Sequence, residues 1–184
     1  MTTQRKIVAN FFMSLDGVVE SPDQWHFPYF DEQMGEVVNA GFARSDALLM
    51  GGQLYREWSA YWPTSTDQPI ADIMNGQQKY VVSRSLERAD WSNTTLIRDD
   101  VSDRIREIKA QPGKDIAMSG SATLVRWLLG EGLLDELGLL VHPIVVGTGA
   151  RLFPDGTPQW PLELATSDTL ATGVLHLVYR PART

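Results

Sequence analysis

Three stretches of the chain end an apolar run in glycine or serine: "LLMGGQLY" at 48–55, "YVVSRSLE" at 80–87 and "IAMSGSATL" at 116–124. The first and third pass at once into a helical pattern. Such a junction leaves backbone N–H groups free at the helix start, and these need an acceptor. Glycine lets the backbone approach a ligand closely, and a helix N-terminus favours negative charge. The hydroxyls of Ser83, Ser85, Ser119, Ser121 and Thr123 can donate to phosphate oxygens, and Arg84 can supply a countercharge. Taken singly, each junction also reads as a tight turn with a self-capped helix. Ser121, for example, can accept a hydrogen bond from the second or third N–H of its own helix. Neither GxGxxG nor GxxxxGK[ST] occurs, so no standard phosphate fingerprint is present. Three such ends in one chain point to a ligand as long as a dinucleotide.

Other chemistries find less support. There is no cysteine, which removes disulfides, thiolate zinc sites and a thiol nucleophile together. His26, His142 and His176 lie far apart with no metal-ligand spacing; the last two sit in apolar runs and read as core or edge residues. No GxSxG elbow occurs. Asp99-Asp100 and Asp135-Glu136 stand at element ends and read as solvated. Trp25 lies in a loop rich in aromatics, where it can stack on a planar ligand or pack in the core. A chain without nucleophile or metal pattern suits hydride transfer, in which a cofactor carries the electrons and the protein supplies position and electrostatics.

The elements that must hold these junctions follow from periodicity. Strands are expected at 6–13, 46–50, 79–83, 94–98, 115–118, 135–147 (bent at Pro143), 162–170 and 173–181. Helices are expected at 31–43, with Met34, Val38 and Phe42 on one face and Asp31 as N-cap, and at 53–60, 71–77, 101–110 and 121–131. Strands alternate with helices up to residue 134 and then close as a pair without a helix between them. That predicts one α/β domain over 1–184, a three-layer α/β/α sandwich around a mixed, mostly parallel sheet. The apolar run 137–146 fits a buried central strand or a dimer contact.

The formal charge is −7 and no Lys/Arg run occurs, which argues against nucleic acid as a partner. The opening "MTTQRKIVANFFMSLDG" is too short and polar for a secretory signal, and no apolar run reaches membrane-spanning length. A cytoplasmic protein is expected, with no membrane partner.

"KIVANFFMSLDGVV", "LLMGGQLYREW", "KYVVSRSL" and "SGSATLVRWLLGEGLLDELGLLVHPIVVGTGARLF" together resemble the dihydrofolate reductase-like family. The nearest branch is that of the C-terminal reductase domain of bacterial riboflavin biosynthesis. The resemblance runs in order through nearly the whole chain, and 119–153 is its most specific part. It implies an eight-stranded sheet, a possible homodimer, and an NADPH site along the strand ends, with NADH as the alternative. It places Ala9 beside the nicotinamide, and Asp16 and Gly17 in a mobile loop over the active site. Gly51, Gly52, Gln53 and Leu54 go to the pyrophosphate and adenosine side. Ser83, Arg84 and Ser85 go to the adenosine ribose and its 2′-phosphate. Gly120, Ser121, Ala122 and Thr123 wrap the pyrophosphate. The implied activity is reduction of a planar heterocycle, pterin-like or aminopyrimidine-like, with Asp31, Asp16 or water giving the proton. A non-catalytic nucleotide-binding or dimerisation module is the alternative. Two departures stand out. Gly52 occupies a position where family members often carry Arg for the 2′-phosphate. Phe30, not an acid, stands five residues after Trp25, so Asp31 serves either as helix cap or as substrate ligand.

Overall fold

Alternation along β1 (Ile7–Ser14) sets the layers: Ile7, Ala9 and Phe11 are buried on one face of the sheet, and Val8, Asn10 and Phe12 turn to the other. The computed structural model describes residues 4–182. The chain continues through α1 (Glu32–Ala43), β2 (Ser45–Gly51), α2 (Gly52–Tyr61), α3 (Ile70–Gly76), β3 (Gln78–Val82) and β4 (Thr94–Ile97). It goes on through α4 (Val101–Ala110), β5 (Asp115–Ser119), α5 (Ala122–Gly130) and β6 (Glu136–His142), and closes with β7 (Leu162–Thr169) and β8 (Leu175–Pro181). The eight strands form one sheet in the order β4-β3-β2-β5-β1-β6-β8-β7. Every neighbouring pair from β4 to β6 is parallel, and β8 joins β6 and β7 antiparallel.

Helices cover both faces, as the alternation of strands and helices predicts. On one side α4 (Ile105, Ile108) and α5 (Leu124, Val125, Leu128, Leu129) pack on Ile7, Ala9, Ala47, Leu49, Ile116 and Met118. On the other, Tyr55 of α2 and Met74 of α3 meet Leu48, Met50 and Val81, while Met34 of α1 meets Leu140. Strands buried on both faces read as continuous apolar runs, which is why "ALLM" and "IAM" are so uniform.

The differences from expectation lie at ends and in loops. The 135–147 run does not bend through Pro143; β6 stops at His142, because proline cannot donate to the ladder. The loop at 18–30 holds two 3-10 turns, Pro22–Gln24 and Phe27–Tyr29, each with proline in its first positions. Trp25 is core: it is 7% exposed and donates its indole N–H to Glu20 O at 3.1 Å.

Candidate active site

β2 and β5 lie side by side, yet the chain leaves them in opposite directions. From β2 it runs through α2 on one face towards β3; from β5 it runs through α5 on the other face to β6. Such a divergence opens a crevice beyond the carboxyl ends of the strands. Here it is a cleft of about 1200 Å³. Ligand pockets are usually about 300–1,000 Å³, so a dinucleotide and a second small molecule fit together.

The three junctions meet at this cleft. The Gly51 N–H donates to Ser121 Oγ at 2.9 Å, tying the end of β2 to the start of α5. A Cβ on Gly52 would lie 2.5 Å from Ser83 Oγ, so the start of α2 rests directly on the end of β3. That contact explains Gly52: a side chain there displaces Ser83. Ser83 Oγ in turn stands 3.4 Å from Ser85 Oγ, and Arg56 donates to Ser85 Oγ at 2.8 Å. Gly51, Gly52, Gln53, Leu54, Arg84, Gly120, Ser121, Ala122 and Thr123 line the cleft, while Ser83 and Ser85 stand just behind it. Gly120 has φ +91°, a conformation that L side chains rarely adopt, and it turns the chain into α5.

Three helices start at this cleft without a side-chain cap. Gly51 and Ser121, at the N-caps of α2 and α5, give no side-chain hydrogen bond to their helices, and neither does Asp100 before α4. Val101, Ser102 and Asp103, the first turn of α4, also line the cleft. Ser121 therefore does not cap its own helix; its left-handed backbone (φ 59°) turns the hydroxyl to Gly51 instead. By contrast, Asp31 caps α1 from Oδ1, accepting the Met34 N–H at 2.9 Å. First-turn donors without a side-chain cap, on helices of ten, ten and nine residues, are able to take an anion as their acceptor.

Some expected residues stand elsewhere. Ala9 is fully buried beneath α5, because a one-residue step along a strand reverses the face; its neighbour Asn10 lines the cleft instead. Asp31 is engaged as the α1 cap and does not line the cleft. Asp16 does not line it either. Its carboxylate accepts from the Val146 N–H (3.0 Å), the Gly147 N–H (2.9 Å) and the Ser14 hydroxyl (2.7 Å). Those bonds, the Ser14 hydroxyl first, lower its pKa to about 2, so it holds no proton to give near neutrality. Asp16 thus staples the turn after β1 to the 143–149 loop.

Among the lining residues that escaped the sequence reading are Asn10, Trp58, Arg98 and Trp127. Arg98 follows β4, whose Ile97 pairs with Val82 of β3, so Arg98 and Arg84 stand on neighbouring strand ends. Among the described residues neither guanidinium forms an ion pair, and Arg98 is half-buried. Phe12, also in the lining, stacks on His26 with ring centroids 4.5 Å apart. Behind them His142 is fully buried and donates its Nδ1–H to Leu140 O (2.8 Å), and desolvation lowers the pKa of both histidines.

Comparison with known proteins adds kinship. Residues 5–176 match the RibD C-terminal domain. The uncharacterized protein YyaP of Bacillus subtilis (strain 168) is 30% identical over 183 residues, covering 96% of this chain and 95% of that protein. Among solved structures, a putative riboflavin biosynthesis protein from Shewanella sp. PV-4 superposes with a TM-score of 0.77 at 19% identity, covering 97% of this chain and 99% of that one. A pyrimidine reductase-like protein from Corynebacterium diphtheriae gives 0.70 at 14% identity, with coverages of 99% and 94%.

The Asp16 staple can be tested by pH. An acid with a depressed folded pKa stabilises the fold above its unfolded value, 3.8, and that stability disappears as pH falls through about 2. The variant D16N is expected to unfold at lower denaturant concentration than wild type at pH 7. The gap should narrow steadily from about pH 4 to pH 2, followed by urea denaturation. A gap that stays constant with pH contradicts the assignment.

Proposed function

Because the chain belongs to the RibD C-terminal (reductase) domain family and has its dihydrofolate reductase-like fold, we propose that it is an NADPH-dependent reductase of a planar, pterin-like or aminopyrimidine-like heterocycle. The observation that carries this reading is the convergence of the uncapped starts of α2, α4 and α5 on one cleft lined by two arginines, Arg84 and Arg98, that form no ion pair among the described residues. A pyrophosphate offers acceptors to the backbone around Gly120, Ser121, Ala122 and Thr123, with Gly51, Gly52, Gln53 and Leu54 on the facing wall. Ser83, Arg84 and Ser85, joined by Arg98, take the adenosine ribose and its 2′-phosphate. Arg98 supplies the countercharge that glycine at position 52 cannot. When bound, the reduced nicotinamide supplies the hydride.

The chain's own groups then position and shield. Gly51 and Ser121, hydrogen-bonded across the sheet, fix the spacing of the two walls. Phe12, Trp58 and Trp127 present aromatic surface to planar rings and restrict water. With Asp16 and Asp31 both engaged outside the cleft, the proton comes from water entering its open side. A homodimer belongs to the same reading. Every residue of the edge strand β7 after Leu162 is exposed, Leu164 by 54%, and its unpaired backbone edge suits a second copy. Sedimentation is expected to give twice the 20.5 kDa chain mass; a 20.5 kDa species at micromolar concentration contradicts the dimer.

The cofactor assignment is tested by quenching of Trp58 and Trp127 fluorescence on titration with NADPH and NADH. NADPH should bind more tightly than NADH. R98A and R84A should each weaken NADPH by about tenfold or more, since a charge-assisted contact is lost, while changing NADH affinity little. Saturable NADPH binding without oxidation in the presence of any heterocyclic acceptor supports the non-catalytic module instead. No binding of either nucleotide at millimolar concentration ends the reductase reading.

A further inference from the structure

Asn10 is a polar side chain on the cleft floor that cofactor binding leaves without a task. It sits in mid-strand on β1, on the face turned to α1, and lines both the large cleft and a second pocket of about 190 Å³ beneath α1. Its register partners are Ser119 on β5 and Gly138 on β6. The carboxamide lies flat against β6: a Cβ on Gly138 would stand 2.1 Å from Asn10 Oδ1. Opposite, on α1, a Cβ on Gly41 would stand 3.9 Å from Nδ2. Two glycines on facing walls thus leave the space that the amide occupies, and any side chain at 138 would evict it.

Among the described residues the amide has no hydrogen-bond partner, and it opens on the cavities rather than being sealed in the core. Of the polar groups nearby, Ser45 donates its hydroxyl to Phe42 O at 3.0 Å, and Ser119 and His176 line the cavities with Asn10 without a hydrogen bond to it. Val8, Val37, Ala40 and Ala117 are apolar. At the far end of the second pocket the charges are already matched: Arg44 pairs with Asp115 at 3.0 Å and with Glu136 at 3.4 Å, and Glu136 also accepts from Lys6 at 2.9 Å. A carboxamide held between glycines, facing open cavities with donor and acceptor both unspent, is placed to meet a ligand that offers the complementary pair.

We propose that Asn10 is a specificity-determining residue that reads a cyclic amide, a ring N–H adjacent to a carbonyl, on the molecule bound beside the cofactor. A carboxamide and a lactam are complementary: the ring N–H donates to Oδ1 while Nδ2–H donates to the ring carbonyl, two parallel bonds in one plane. Glycine at 138 lets the ring approach edge-on along the sheet, and the second pocket receives a substituent projecting past Asn10. The proposal rests on the reductase reading in taking this cleft as the place where the acceptor ring sits.

Lumazine, a pteridine-2,4-dione with free ring N–H groups, and 1,3-dimethyllumazine, which lacks them, separate the possibilities. Each is titrated into wild type, N10L and N10D and followed by ligand fluorescence, with a parallel NADPH titration of every variant. Leucine keeps the branched skeleton of asparagine without its polar atoms, and aspartate keeps its shape while removing the donor. Wild type is expected to prefer lumazine by about tenfold or more, as a site built to hydrogen-bond rejects an analogue lacking the group. N10L should lose that preference while keeping wild-type NADPH affinity; N10D, which still accepts the ring N–H but sets an oxygen against the ring carbonyl, should bind lumazine more weakly than wild type with NADPH affinity unchanged. Equal binding of the two ligands by wild type, no binding of lumazine, or preference retained in N10L overturns the proposal. So does a loss in N10L that falls on NADPH rather than lumazine, which would assign the amide to the nicotinamide carboxamide. If lumazine is discriminated but NADPH never binds, the reductase reading fails and the lactam site stands.

Discussion

A helix cannot begin without leaving its first backbone N–H groups unpaired, and how each is satisfied organises this protein. α1 uses its own sequence, through the Asp31 carboxylate. α2, α4 and α5 have no side-chain cap and all begin at one cleft. A cap contributes roughly 0.5–2 kcal/mol, so three helices without one forgo a sizeable stabilisation in the folded chain. Left open, the same donors face the place where a phosphate can lie, and their partial positive charge adds to that of Arg84 and Arg98.

The sheet order makes the convergence geometric rather than accidental. β2 and β5 are neighbours, but their helices leave to opposite faces, so the space above their ends is filled by neither. The Gly51–Ser121 hydrogen bond bridges that space at its base, and Gly52 seats α2 on Ser83. A net charge of −7 is compatible with an anion site because Arg84 and Arg98 stand together on neighbouring strand ends, while Glu20, Asp23, Glu57, Asp100 and Asp103 also line the cleft. The wall beyond Phe12 is of another kind. His26 and His142 are buried with Nδ1 and Nε2, respectively, lacking partners among the described residues, and their desolvation keeps the charged forms unfavourable.

Much of the fold was legible because its periodicities are strong. "KIVANFFM" and "DELGLLVH" sit on the central strands, and the Met34–Val38–Phe42 face marks α1. The Gly/Ser junctions were legible because few residue types tolerate such turns. Arg98 was not: nothing local distinguishes "LIRDD" from a solvated strand end, and only the pairing of β3 with β4 brings it beside Arg84. Ala9 and Asn10 differ by one position in an apolar run, and a period of two decides between core and cleft. Asp16 carries charge in a turn, as surface aspartates do. Its partners, Val146 and Gly147, lie 130 residues away or more, and no spacing rule could show them.

The central claim is that the backbone at three helix starts receives the phosphates of a dinucleotide. Amide ¹⁵N–¹H spectra of the protein during titration with NADP⁺ test it most directly. The account predicts large, saturable shifts of the amides at 51–54, 101–103 and 120–123, moving together with one dissociation constant. Shifts confined to other surfaces, or amides at these three helix starts that stay unchanged at saturation, would contradict it.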